Sequence, residues 1–250
     1  MRVIAVGDIH GCIDQLKNLI AKINPCPKDQ FVFLGDYIDR GPDSRGVLEF
    51  LIDFQKQFPQ TVFLRGNHEQ LFLDALTESG VKTGVPLLYT VSELWTCEIA
   101  WMDTLEFRHT RLWLQNHGDL TLKSYGIDSY DGLIQPQTFN AYRRALETIP
   151  REHIKFLAST KLWYESDNHL FVHAGIVPGK RMADQDPYEL LWSREGFWRY
   201  KTGWNQCVVH GHTLILNPRT EGLEISLDTG AGAGGQLTGC DVNTGKIWQN

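Results

Sequence analysis

No stretch of the chain approaches the roughly 18 consecutive apolar residues that a membrane span requires, so no transmembrane anchor is expected. A Cys-x-x-Cys pair is also missing. Cys12, Cys26, Cys97, Cys207 and Cys240 are scattered, which fits neither a disulfide framework nor a zinc ribbon and points to a reducing cytoplasm. Positive charge is in deficit: 24 Lys and Arg stand against 30 Asp and Glu, a net charge of −6. That argues against nucleic-acid and anionic-membrane partners, which are held by broad basic surfaces, while leaving local anion sites open. There is no internal repeat and no low-complexity tract. The glycine-rich run from Gly230 to Gly235 lacks the Lys-Ser/Thr of a phosphate-binding loop and reads as a tight connection that could line a site. The first strand signal begins at Arg2 or Val3, which leaves no room for a leader with an apolar core.

What is present is ample core material, 42% hydrophobic against 22% charged residues, in 250 residues that we read as one domain, 1–250. Val3-Ile4-Ala5-Val6, Phe31-Val32-Phe33-Leu34 and Thr61-Val62-Phe63-Leu64 are too short for helices and rich in β-branched or aromatic residues, hence strands. Between the first two, Leu16, Leu19, Ile20 and Ile23 recur at helical spacing until Asn24-Pro25 breaks the pattern. A second helix, capped by Asp43 or Ser44, carries Val47, Leu48, Leu51, Ile52 and Phe54 up to Pro59. Two β-α-β units imply parallel strands with right-handed crossovers. From about residue 80 to 159 helical spacing dominates, predicting a helical insertion in an α/β fold. Strand patterns return at His169 to Val172, Cys207 to Val209, Leu223 to Leu227 and Gln236 to Val242. Their short connections suggest antiparallel or mixed pairing.

Polar motifs follow the strands: Gly7-Asp8-Ile9-His10-Gly11, Gly35-Asp36-Tyr37-Ile38-Asp39-Arg40-Gly41, Gly66-Asn67-His68-Glu69, His173-Ala174-Gly175 and His210-Gly211-His212-Thr213. Carboxyl ends of strands in an open α/β sheet form the crevice where ligands bind. Oxygen and imidazole donors without thiolate suit divalent manganese, iron or zinc. A two-metal hydrolase needs a shared anionic ligand, and the motifs supply one. We assign Asp8, His10 and Asp36 to one ion and Asp36, Asn67, His173 and His212 to the other, with Asp36 bridging. Asp8 and His10, two apart, would share a side of an extended chain. His68 could protonate a leaving oxygen while Asp39 fixes its tautomer. Arg40, Arg65 and Arg194 are candidates to grip phosphoryl oxygens with their guanidinium forks.

These motifs resemble the pattern GDxHG, GDxVDRG, GNHE, HAG and a late histidine of the PPP-type phosphoprotein phosphatases, within the calcineurin-like metallophosphoesterases. The resemblance spans Gly7 to Thr213, with Ile38 in place of the usual valine. It implies two packed mixed β-sheets flanked by helices, two divalent ions, often manganese in bacterial members, and attack of metal-bound hydroxide on a phosphate ester. The Trp192-Ser193-Arg194 segment resembles a phosphate-binding arginine segment of compact bacterial and phage members. The function so implied is hydrolysis of phosphoserine and phosphothreonine in proteins, with phosphotyrosine and small esters as further substrates. Two alternatives stay open: a symmetrical dinucleoside tetraphosphate hydrolase and a non-catalytic metal-binding regulator. The tetraphosphatases typically carry GDLVARG and GNHD, so Asp39 and Glu69 are the expected discriminators.

Other polar and aromatic residues read more simply. His210 is structural, Cys12 is a small residue at a helix start, and Glu69 supports Arg or backbone groups. His109, His117, His153 and His169 are surface or satisfied core histidines. Most tryptophans are packing residues, though Tyr89, Trp95, Trp101 and Trp113 could face substrate from the helical segment.

Overall fold

A computed structural model describes residues 1–88, 107–127, 136–166, 168–194 and 206–250. The chain folds as two mixed sheets flanked by helices. The first sheet has the order β3-β2-β1-β8-β9, built from β1 (Val3–Val6), β2 (Gln30–Phe33), β3 (Val62–Phe63), β8 (Thr238–Asp241) and β9 (Lys246–Gln249). Its first three strands run parallel, joined through α1 (Ile13–Ile23) and α2 (Ser44–Gln57). The second sheet has the order β4-β5-β6-β7, from β4 (Trp163–Glu165), β5 (His169–Val172), β6 (Cys207–His210) and β7 (Glu224–Ser226).

Alternation along the strands decides the layers. Ile4, Val6, Phe31 and Phe33 face α1 and α2, while Ala5, Val32 and Leu34 face Phe171, Val209 and Ile225 of the other sheet. Leu170, Val172 and Val208 then cover the outer face of the second sheet, against Leu190 of α8 (Pro187–Trp192). Helix α1 stops where Asn24 turns left-handed at φ 50°, and α2 starts where the Asp43 carboxylate accepts from the Gly46 N–H at 2.7 Å. Both boundaries are those the sequence predicts.

In the second sheet β5, β6 and β7 are parallel to one another and β4 is antiparallel to β5, a mixed pairing that the sequence reading allowed. The crossover from β6 to β7 is a helix-free loop, residues 211–223, so a connection without a helix still joins parallel strands here. β4 and the C-terminal β9 were not anticipated; each is brief and only half-buried.

Of the segment expected to be helical, residues 81–88 carry no helix, and most of the rest of its described part is helical. The helical part follows α3 (Asn67–Glu78) and comprises α4 (Arg108–Trp113), a kinked connection (Leu114–Gly118), α5 (Asp119–Ser124), α6 (Pro136–Leu146) and α7 (Arg151–Ser159). Among the described residues no helix is long and apolar enough to cross a membrane.

Candidate metal centre

Six parallel strands, three in each sheet, end at one cluster. Asp8 and His10 follow β1, Asp36 follows β2, and Asn67 and His68 follow β3. His173, His212 and Asp228 follow β5, β6 and β7. Donor atoms of His10, Asp36 and His68 lie within 4.8 Å of one another, and so do those of Asp36, His173 and His212. Asp36 is common to both groups, as a bridging ligand would be.

Local backbone strain marks the same place. His10, Asp36, Asp39, Arg40 and His212 all have φ between 47° and 69°, a region that non-glycine residues seldom enter and that costs energy to hold. Close approach is equally tight. A Cβ on Gly66 would stand 2.0 Å from Asp36 Oδ1, and one on Gly211 would stand 2.0 Å from Asp8 Oδ1. Glu69 anchors the loops, accepting from the backbone N–H groups of Asp36, Tyr37 and Gly66 at 2.8–2.9 Å and of Ile38 at 3.3 Å. Burial and the nearby Asp36 push its carboxyl up to about 7.

The donor set fits divalent ions. His10 Nδ1 donates to the Ile38 carbonyl at 2.9 Å and His173 Nδ1 to the Leu34 carbonyl at 2.9 Å, which leaves each Nε2 with its lone pair directed inward. His173 Nε2 then lies 3.0 Å from Asn67 Oδ1 and 3.4 Å from Asp36 Oδ1, electron-rich atoms facing one another. A cation between them would relieve that opposition. Burial lowers the imidazoles of His10, to about 3, and of His173 and His212, which favours the neutral form that metal ligands need. Burial opposes an ionised Asp36, yet His173, His68, His10 and Arg40 hold it well below the ordinary carboxylate range.

Not every expected ligand is placed as the sequence suggests. The backbone at His10 is left-handed rather than extended, and the Asp8 carboxylate turns to the His212 N–H at 3.0 and 3.2 Å. Burial, Asp228 and Asp36 raise the Asp8 carboxyl well above its usual range, which shows how close three acids come here. Asp228 was not singled out from the sequence. Its signal is the shared one, an acid at the end of a strand. The glycine-rich loop also reaches the cluster: a Cβ on Gly232 would stand 2.5 Å from His10 Cβ.

The remaining predicted residues divide. His68 Nδ1 lies 2.8 Å from Asp39 Oδ2, and its buried Nε2 has no hydrogen-bond partner among the described residues. Burial opposes its charge, but Asp36 and Asp39 outweigh that and raise His68 above the usual range. Arg40 donates to His10 Nε2 at 2.7 Å, at the rim of the cluster, and the exposed Arg194 is near enough to His212 to disfavour its charge. Arg65 is a correction. Its guanidinium turns away to Thr160 Oγ1, Gln70 Oε1 and the carbonyls of Ala158 and Thr160, so it ties β3 to the end of α7 instead of facing a phosphate. Trp113 is another. Fully buried, it donates from Nε1 to Asp39 and faces no cleft. Tyr89, Trp95 and Trp101 lie outside the described residues. His210 points to Glu224 Oε1, and Cys12, raised by burial, packs its Sγ toward the carbonyls of His10 and Ala231.

Comparison with known proteins agrees with this architecture. Residues 1–216 match the calcineurin-like phosphoesterase family. A curated relative from Bacillus thuringiensis (strain Al Hakam), bis(5'-nucleosyl)-tetraphosphatase PrpE [asymmetrical], is 25% identical over 248 residues, covering 95% of this chain and 89% of its own. A solved structure of a candidate diadenosine tetraphosphatase superposes with TM-score 0.64 at 21% identity, over 100% of this chain and 92% of its own. The cold-active protein-tyrosine phosphatase of a psychrophilic Shewanella superposes with TM-score 0.56 at 16% identity, over 99% and 80%. These two structures speak to the fold.

Proposed function

Since this chain belongs to the calcineurin-like phosphoesterase family, we propose that it hydrolyses phosphate monoesters with poor, alkoxide-type leaving groups, phosphoserine and phosphothreonine in proteins among them. The observation that carries this reading is the buried Asp39–His68 pair, 2.8 Å apart, with His68 Nε2 beside the ligand cluster and unpartnered among the described residues. A serine or threonine alkoxide leaves slowly unless it is protonated. A nucleotide or a nitrophenolate needs no such help.

His10 and Asp36, with Asp8 beside them, would hold one divalent ion; Asp36, Asn67, His173 and His212 would hold the second. Bound there, the ions supply Lewis acidity toward phosphoryl oxygens and lower the pKa of coordinated water toward about 7. Arg40 orients the phosphoryl group with its guanidinium fork, and Arg194 approaches from the side of His212. Asp39 accepts the Nδ1–H of His68 and so keeps the other nitrogen as the proton carrier. Asp36 and Asp39 favour the protonated ring, so a proton stands at Nε2 for the departing oxygen.

His68→Asn tests the assignment. Turnover of a phosphoserine peptide should fall by about 10²–10⁴-fold, the usual worth of a general acid, with a smaller loss on p-nitrophenyl phosphate and unchanged metal content. Equal losses on both substrates would overturn the acid role.

A second reading, cleavage of dinucleoside tetraphosphates, is favoured by the Bacillus relatives, which match nearly the whole chain. Asp39 and Glu69, expected to discriminate, speak to the proton relay and the loop anchors, since both are buried behind the cluster. Kinetics on phosphopeptides and on diadenosine tetraphosphate, run side by side with manganese, separate the two.

A further inference from the structure

The Asp39 carboxylate is held from behind by the helical segment. Trp113 Nε1 lies 3.0 Å from Oδ2 and 3.2 Å from Oδ1, and Thr121 Oγ1 donates to Oδ1 at 2.6 Å. Ser44 Oγ, 2.9 Å from Thr121 Oγ1, joins it in receiving the Asp39 backbone N–H. All five residues, His68 included, are fully buried. A carboxylate so placed cannot rotate without breaking hydrogen bonds that no water replaces.

Residues 113 and 121 would not meet on a regular helix. At 100° and 1.5 Å per residue they point roughly 80° apart and stand about 12 Å apart along the axis. The kink at Leu114–Gly118, between two helices, brings them together. Asn116 (φ −95°, ψ 30°) and His117 (φ 69°, ψ 23°) leave helical geometry there, and Gly118 lies under the indole, where a Cβ would come within 2.3–2.6 Å of ring atoms. Here the strain converges two donors on one carboxylate.

We propose that Trp113 and Thr121 are positioning residues: they lock the Asp39 carboxylate and, through it, the tautomer and orientation of the His68 imidazole. This rests on the reading of His68 as a participant in turnover. The phosphatase chemistry would then depend on a helical segment that contributes no atom to the ligand groups found among the described residues.

Trp113→Phe, which keeps an aromatic ring against Phe72, and Thr121→Val remove one donor each. Each should lower kcat on a phosphoserine peptide about 10- to 100-fold, the usual cost of losing an outer support, with KM unchanged. Thr121→Ser should restore it. In a His68→Asn background neither change should lower kcat further, because the orientation of a missing imidazole cannot matter. The hydrogen-bonded His68 Nδ1–H proton, followed by NMR in the full chain, should shift in Trp113→Phe. An equal kcat loss in both backgrounds, or an unchanged kcat with an unmoved Nδ1–H signal, would overturn the proposal. Failure of the acid role shows differently: His68→Asn would then lose equal activity on phosphoserine and p-nitrophenyl phosphate, while the non-additivity with Trp113→Phe persists.

Discussion

Asp74 lies one helical turn and more beyond the cluster, on α3, and shows how this fold handles acids it does not use. Gln70 donates to its Oδ1 at 2.8 Å, while Oδ2 is buried without a hydrogen-bond partner among the described residues. Burial raises its carboxyl to about 7, against the pull of Gln70 and Arg65. A carboxyl raised on folding binds a proton in the native state that the unfolded chain has already lost. Stability therefore declines as pH rises from the ordinary carboxylate range through about 7. Asp74→Asn keeps the acceptor and removes the charge. Its melting temperature should exceed that of the wild type at pH 8 and match it near pH 5; a gap of the same size at both would contradict the account. Asp36 is handled in the opposite way, because imidazoles and Arg40 surround it and hold it below the ordinary carboxylate range, whereas burial and neighbouring acids raise Asp8 beside it.

At the scale of elements, each catalytic side chain depends on how closely one strand-end loop can approach the next. Gly66 is the sharpest case, with the Asp36 carboxylate where a Cβ would be. Gly66→Ala should therefore displace Asp36 from both ligand groups. Circular dichroism should stay near wild type while bound metal and turnover collapse; retention of both would mean that the loops can part at little cost. Strand-end motifs made the ligand cluster legible in the sequence, since a polar residue after a short apolar run has one place to go in a parallel sheet. Direction was not legible. Arg65 adjoins a motif yet turns toward α7, and Asp8 turns to the His212 amide once His10 adopts a positive φ. Trp113 and Thr121 were invisible as partners because only the kink at His117 makes residues eight apart share a target. The parallel β6–β7 pairing was not specified for a related reason: its crossover carries no helix to announce it.

The whole molecule is two sheets whose parallel strands end at one edge, and the ligand groups draw on both. Asp8, His10, Asp36 and Asn67 come from the first sheet, His173 and His212 from the second. The centre exists only while the sheets are packed through Ala5, Val32, Phe171 and Val209. Bound ions would in turn stabilise that packing, because the unfolded chain offers no such site. Legibility at this scale was good: the layered α/β architecture follows from motif order, while the substrate depends on surfaces that motifs do not encode. The most direct test is metal stoichiometry after removal of metal with a chelator, reloading with manganese and exhaustive dialysis, read by elemental analysis beside p-nitrophenyl phosphate turnover. The wild type should retain two ions per chain and be active only when loaded, as a site bridged by one carboxylate requires. His212→Ala should lose mainly one ion, and Asp36→Asn should lose both. Full turnover in the chelator-treated protein, or two retained ions in Asp36→Asn, would contradict the two-metal centre bridged by Asp36.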